Sequence, residues 1–178
     1  EDAAKDRVVY IETRFAPVLQ ATRKFPMEEV VRRAIRGIDR GQRNFHVTAR
    51  IILCCYRSES AASSIRTVEL ARLFRDRGVV GVDLAGDEQR YPARRHYAAF
   101  DLAKKYKIPV TIHAGEACGA ASVREAVERL GARRIGHGTR SVEDSNVMEL
   151  LRARNVTLEV CPTSNVQTCA VKSLESHP

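Results

Sequence analysis

Ile108-Pro109-Val110-Thr111-Ile112-His113-Ala114-Gly115-Glu116 is an apolar run that ends on an imidazole, a step of two small residues and a carboxylic acid. A short apolar run rich in β-branched residues, set between two helical patterns, reads as a strand buried on both faces. Upstream, Tyr97, Phe100, Leu102 and Ala103 belong to a helical stretch. Downstream, Ser122 and Glu125 have the spacing of a capping box, opening a helix that Gly131 closes.

The same alternation repeats in both directions. Toward the N-terminus, 79–84 reads as a strand, preceded by a helix carrying Ile65, Val68, Ala71 and Leu73 and stopped by Gly78. Before that, 47–55 is dense in Ile and Leu, and Pro26 opens a helix with Val30, Val31, Ala34, Ile35 and Ile38 on one face, closed by Gly41. The first run spans 8–15 and ends at Pro17. Toward the C-terminus, 135–137 is a short strand, Val147 and Leu151 lie on the next helix, and 156–160 is a sixth strand. The tail, 161–178, reads as a loop with at most one short helix.

Strands alternating with helices imply an α/β fold with a parallel sheet. An open doubly wound sheet and a closed barrel compete, and periodicity cannot choose between them. The polar residues favour the barrel, because Arg14, Asp83, His113, His137 and Glu159 stand toward the C-terminal ends of five different strands. A (β/α)₈ TIM-type barrel brings such ends to one mouth, whereas an open sheet uses fewer strands at a switch point. A minimal barrel takes about 250 residues, roughly 30 per unit. The chain has 178 residues, so the expectation is an incomplete barrel of roughly six strand–helix units, with the first and last strands missing.

Ordinary apolar and charged fractions argue against disordered and fibrous classes. No apolar run approaches the roughly 20 residues that span a bilayer, and no charged leader precedes an apolar stretch. The net charge of +8 is spread over helical segments (Arg32, Arg33, Arg36 and Arg40, then Arg72, Arg75 and Arg77) with few aromatics between them. That is a solvated surface rather than a nucleic-acid groove. Five cysteines without a C-x-x-C pair point to a reducing, cytoplasmic compartment, with Cys54 and Cys55 as small buried hydrophobes.

Four constellations carry chemistry. His113 closes a strand and Glu116 follows across the Ala-Gly step, suiting a metal-ligating imidazole beside an acid or base; a strand-end His bonded to backbone is the structural alternative. His137 lies between Gly136 and Gly138, which let the backbone turn and leave the ring uncrowded, although a loop histidine fits the same pattern. Asp83 can orient a neighbouring side chain and Gly86 can offer a bare N–H to a ligand, while Asp87 and Glu88 read equally well as helix-start acids. Glu159 is an inward acid before the 161–165 segment, whose Thr, Ser and Asn suit a turn.

Taken together, GVDLAGDE (81–88), TIHAGE (111–116), RIGHG (134–138) and LEVCPTSN (158–165) resemble the adenosine deaminase family in order and spacing. YIETRFAP (10–17) and IILCCYR (51–57) fit its second and third strands. The resemblance implies that residues 1–178 are a partial catalytic domain of an enzyme that uses zinc to hydrolyse adenosine, and 2′-deoxyadenosine, to inosine and ammonia. It implies His113 as a zinc ligand and Glu116 as the acid that protonates purine N1. His137 becomes the group that orients the attacking water and takes its proton, and Gly86 the N–H that meets purine N3. Asp83 and Glu159 become supporting or structural acids. The partner implied is a small purine nucleoside, with no nucleic acid and no membrane.

The departures are specific. The family's first strand supplies H-x-H and its last an Asp-Asp pair, and neither motif occurs in this chain. One of four protein ligands is present, and His46, His96 and His177 read as surface histidines. The other zinc deaminase class, with H-x-E and P-C-x-x-C, is not matched by Cys161-Pro162 and Cys169. Adenine or AMP deamination, or an inactive barrel fragment, are the alternatives; G-H-G is more typical of the adenosine enzymes than the D-H-G of adenine-specific relatives.

Overall fold

The computed structural model describes residues 1–178, and its six strands are parallel and follow one another across the sheet in chain order. A short helix α1 (Asp2–Lys5) precedes β1 (Tyr10–Phe15), α2 (Pro17–Gln20), α3 (Met27–Phe45) and β2 (Thr48–Tyr56). Then come α4 (Ala61–Leu73), β3 (Val79–Ala85), α5 (Tyr97–Lys105), β4 (Thr111–Ala114) and α6 (Ala120–Glu128). The chain ends through β5 (Arg134–His137), α7 (Ser145–Ala153), β6 (Thr157–Glu159) and α8 (Pro162–Gln167).

Two ladders, β1-β2-β3 and β4-β5-β6, are joined by one parallel bridge between Val82 and Val110, where the Val82 N–H donates to Pro109 O at 3.0 Å. Pro109 has no N–H to return, so the ladder thins there. The two strands nonetheless stay close: a Cβ added at Gly81 would lie 3.0 Å from Pro109 O.

The sheet curls. In a flat sheet the first and sixth strands would stand about 24 Å apart, at about 4.8 Å per step. Instead Arg14 of β1 pairs with Glu159 of β6, and Arg134 of β5 reaches Glu12 of β1 at 2.6 Å. An open doubly wound sheet cannot make those contacts, so this is part of a TIM-type barrel, as expected. The apolar run of β2 hides two faces. Ile51, Leu53 and Cys55 join the core with Val31 and Ile35 of α3 and Val68 of α4. Cys54, on the other face, meets Asp83 of the neighbouring strand β3 at 3.7 Å.

Local patterning misplaced some boundaries. Helix α3 passes through Gly41 to Phe45 and ends at His46, a left-handed cap whose N–H donates to Gln42 O. A mid-helix glycine costs only about 1 kcal/mol relative to alanine, and the buried face at Val30, Val31 and Ile35 outweighs it. Ser122 and Glu125 form no capping box. Helix α6 begins at Ala120 after Gly119, Ser122 Oγ donates to Gly119 O and accepts the Gly115 N–H, and Glu125 receives the Tyr97 hydroxyl. His96 is not on the surface: it is fully buried, with Ser64 Oγ 2.8 Å from Nδ1 and Nε2 donating to Arg57 O at 3.1 Å. No helix is long and apolar enough to cross a membrane.

Candidate active site

The C-terminal ends of β3, β4 and β5 bring Asp83, His113 and His137 together. Asp83 is wholly buried, and Oδ2 lies 2.9 Å from His113 Nδ1 and 3.2 Å from Arg14 Nη1. A buried carboxylate accepts a hydrogen bond from the Nδ1–H and so turns the Nε2 lone pair outward, the arrangement that prepares a histidine for a metal. Burial pulls the His113 pKa down, but the Asp83 carboxylate outweighs it and holds the ring above its usual value. Metal binding competes with that proton. Gly136 lies under the His113 ring, where a Cβ would meet Cγ at 3.0 Å. The glycine before His137 thus makes room for the other histidine.

His137 adopts φ 66°, in the left-handed region, which costs an L-residue about 1–2 kcal/mol. The Gly138 N–H donates to Ala114 O at 3.0 Å and fixes the turn. The His137 ring is nearly buried, edge-on to His113 with centroids 5.4 Å apart. Its Nε2 lies 3.4 Å from Glu116 Oε2, and its Nδ1 is 2.9 Å from Asn165 Nδ2. Burial lowers the His137 pKa against the opposing pull of Glu116 and so favours the neutral ring. Glu116 Oε1 also accepts from Thr168 Oγ1 at 2.8 Å, beside a cleft of about 320 Å³ bordered by Gln89, Arg140 and Cys169.

Gly86 follows directly on β3 with φ 108°, and a Cβ there would come within 3.2 Å of Tyr56 Cε2. Backbone conformation and the close ring both require glycine. Glu159 stands one step from the cluster: it pairs with Arg14 and, at 3.4 Å, with Arg134, so it reaches Asp83 only through Arg14.

Three residues that sequence reasoning did not single out hold the site. Glu88, read as a helix-start acid, is buried and takes four backbone N–H groups. Oε1 accepts from Gly115 at 2.9 Å, and Oε2 accepts from Glu116 at 3.3 Å and from Ala117 and Cys118 at 2.9 Å. Arg57, 2% exposed, donates to His113 O at 2.9 Å and Tyr91 O at 3.0 Å. Asn165, read as a turn residue, is wholly buried against His137. Only the small Ala114-Gly115 step, which leaves backbone N–H groups bare, hinted at an acceptor.

Glu88→Gln should lower stability by about 2–3 kcal/mol, because an amide NH₂ would face N–H groups that now share a charged acceptor. Urea unfolding of the intact protein measures this, and an unchanged midpoint would show that the carboxylate does not hold the loop.

A free Nε2 on a carboxylate-anchored His113 fits one ligand of a zinc site. No three His, Cys, Asp or Glu side chains of the chain converge as a metal-holding set, so these residues fit one corner of such a site.

The sequence model of the family described as adenosine deaminase matches residues 1–178. An adenosine deaminase of Clostridium kluyveri is 38% identical over 178 residues, covering 100% of this chain and 51% of that protein. Among solved structures, an adenine deaminase from Arthrobacter aurescens superposes with a TM-score of 0.90 at 29% identity, covering 100% of this chain and 54% of the other. The N6-methyl-AMP deaminase of Arabidopsis thaliana superposes at 0.88 and 26% identity, covering 99% and 53%. The chain therefore spans about half the length of the relatives it matches.

Proposed function

Since residues 1–178 belong to the adenosine deaminase family, we propose that they are part of a catalytic domain that hydrolyses the 6-amino group of adenosine. The observation that carries this reading is the meeting of His113, Glu116 and His137 at adjoining strand ends, with Asp83 anchoring the first imidazole.

In the proposed reaction water adds to C6 of the purine, N1 gains a proton, and the C6–N bond breaks to release ammonia. Glu116 delivers the proton to N1. His137, held beside Glu116, orients the water at C6. The N–H of Gly86 meets purine N3, locking the ring so that N1 faces Glu116. Zinc, which His113 would help to hold, would supply Lewis acidity that makes water nucleophilic near neutral pH. Asp83 keeps His113 in the ligating tautomer, while Glu159 and Arg14 tie β6 to β1 and support Asp83 from behind.

The substrate is read as a nucleoside, adenosine or 2′-deoxyadenosine, from the likeness to adenosine deaminases over the whole chain, and the G-H-G at 136–138 accords with it. Five free cysteines suit a reducing, cytoplasmic setting. The test is ammonia release by the intact protein containing residues 1–178, assayed with adenosine, 2′-deoxyadenosine, adenine and AMP, before and after chelation. Adenosine should turn over fastest, and chelation should stop it. Faster release from adenine or AMP reassigns the substrate, and no release from any of the four defeats the reading.

A further inference from the structure

We propose that Asn165 is a positioning residue that fixes the tautomer of His137, so that the neutral imidazole presents an N–H, not a lone pair, to the reaction cavity. This rests on the deaminase reading for the purpose of that N–H, but the contact itself does not.

Asn165 sits in α8, which Pro162 opens at its first turn. Its side chain is wholly buried, so each of its hydrogen bonds replaces one that water would otherwise make. The amide oxygen accepts from Thr139 Oγ1 at 3.1 Å and lies 3.1 Å from His177 Nε2. Oδ1 has no hydrogen to give, so His177 is the donor. With Oδ1 seated against Thr139 Oγ1 and His177 Nε2, the amide nitrogen is turned the other way. The Nδ2 group therefore points to His137 Nδ1, 2.9 Å away. An amide nitrogen only donates, so Nδ1 must accept. The single proton of the neutral ring is left on Nε2, the nitrogen 3.4 Å from Glu116 Oε2.

The consequence for chemistry is a change of role. An Nε2–H cannot take a proton from water; it donates a hydrogen bond to the oxygen that attacks C6. His137 then orients and polarises that oxygen, and the two protons that the water gives up end on purine N1 and on the departing ammonia. The His177 contact also means that a residue of the tail, read from sequence as a surface histidine, takes part in setting the tautomer.

Nitrogen-15 NMR of histidine-labelled intact protein, recorded without metal and without substrate, reads the tautomer directly. The expected spectrum has a protonated, pyrrole-type Nε2 and an unprotonated, pyridine-type Nδ1 for His137. Asn165→Asp keeps the size but replaces the donor with an acceptor, so the two resonances should exchange character. kcat should fall by about 10²-fold or more, as when a catalytic histidine is held in the wrong tautomer, with KM changed little. Nδ1 protonated in the unsubstituted protein, resonances unmoved by Asn165→Asp, or unchanged kcat in a variant with exchanged resonances would each overturn the proposal. If the variant does not fold, the spectrum of the unsubstituted protein still decides it. A protein with the expected resonances that releases no ammonia overturns the deaminase reading and leaves the Asn165 contact standing.

Discussion

Glu116→Gln should lower the kcat of ammonia release by about 10²–10⁴-fold, the range supplied by a positioned general acid. The change is nearly isosteric. The Glu88 carboxylate still grips the 115–118 backbone, and the amide oxygen still accepts the Thr168 hydroxyl. What disappears is the transferable proton opposite purine N1, so the loss belongs to the chemical step and KM should change far less than kcat. Steady-state kinetics with adenosine measures both. Turnover at the unsubstituted rate would remove Glu116 from the mechanism.

Asp83→Ala should weaken zinc retention by about 10–100-fold, the usual cost of deleting the carboxylate behind a ligating histidine. The same substitution should cost about 3–5 kcal/mol of stability, as breaking a buried ion pair does. Asp83 is wholly buried, and removing it leaves the His113 Nδ1–H without its acceptor and Arg14 with Glu159 alone. Dialysis against a competing chelator measures the first effect and urea unfolding the second. Zinc held as tightly as before would place the metal away from His113, and with it the proposed site.

These two expectations differ in how far they could be read without coordinates. Glu116 and His113 are three residues apart at one strand end, so a local motif brings both into view. Asp83 lies 30 residues from His113 in sequence. It was legible as a strand-end acid, but its partner was not. The contacts that sequence reasoning missed are all of this kind. Glu88 binds N–H groups 27–30 residues away. Asn165 meets His137 across 28 residues, and Ser64 meets His96 across 32. In each case the side chain has an ordinary local use, as a helix-start acid, a turn former or a surface group, and that use is what its neighbours in sequence suggest. Gly41 illustrates the reverse error, since a strong local stop signal yields to the buried face of α3.

By itself the sequence determined the alternation of strands and helices, the parallel α/β class, and which residues stand at the strand ends. Those follow from apolar periodicity and from the chemistry of turns, which act over a few residues. Only the tertiary structure decided that β1 curls round to meet β6, with Arg14 and Glu159 paired across 145 residues. The fold likewise decided which buried polar groups satisfy His137, His113 and the Glu116 loop. Hydrogen-bond partners in an interior are chosen by proximity once water is excluded, and no periodicity in the chain encodes that proximity.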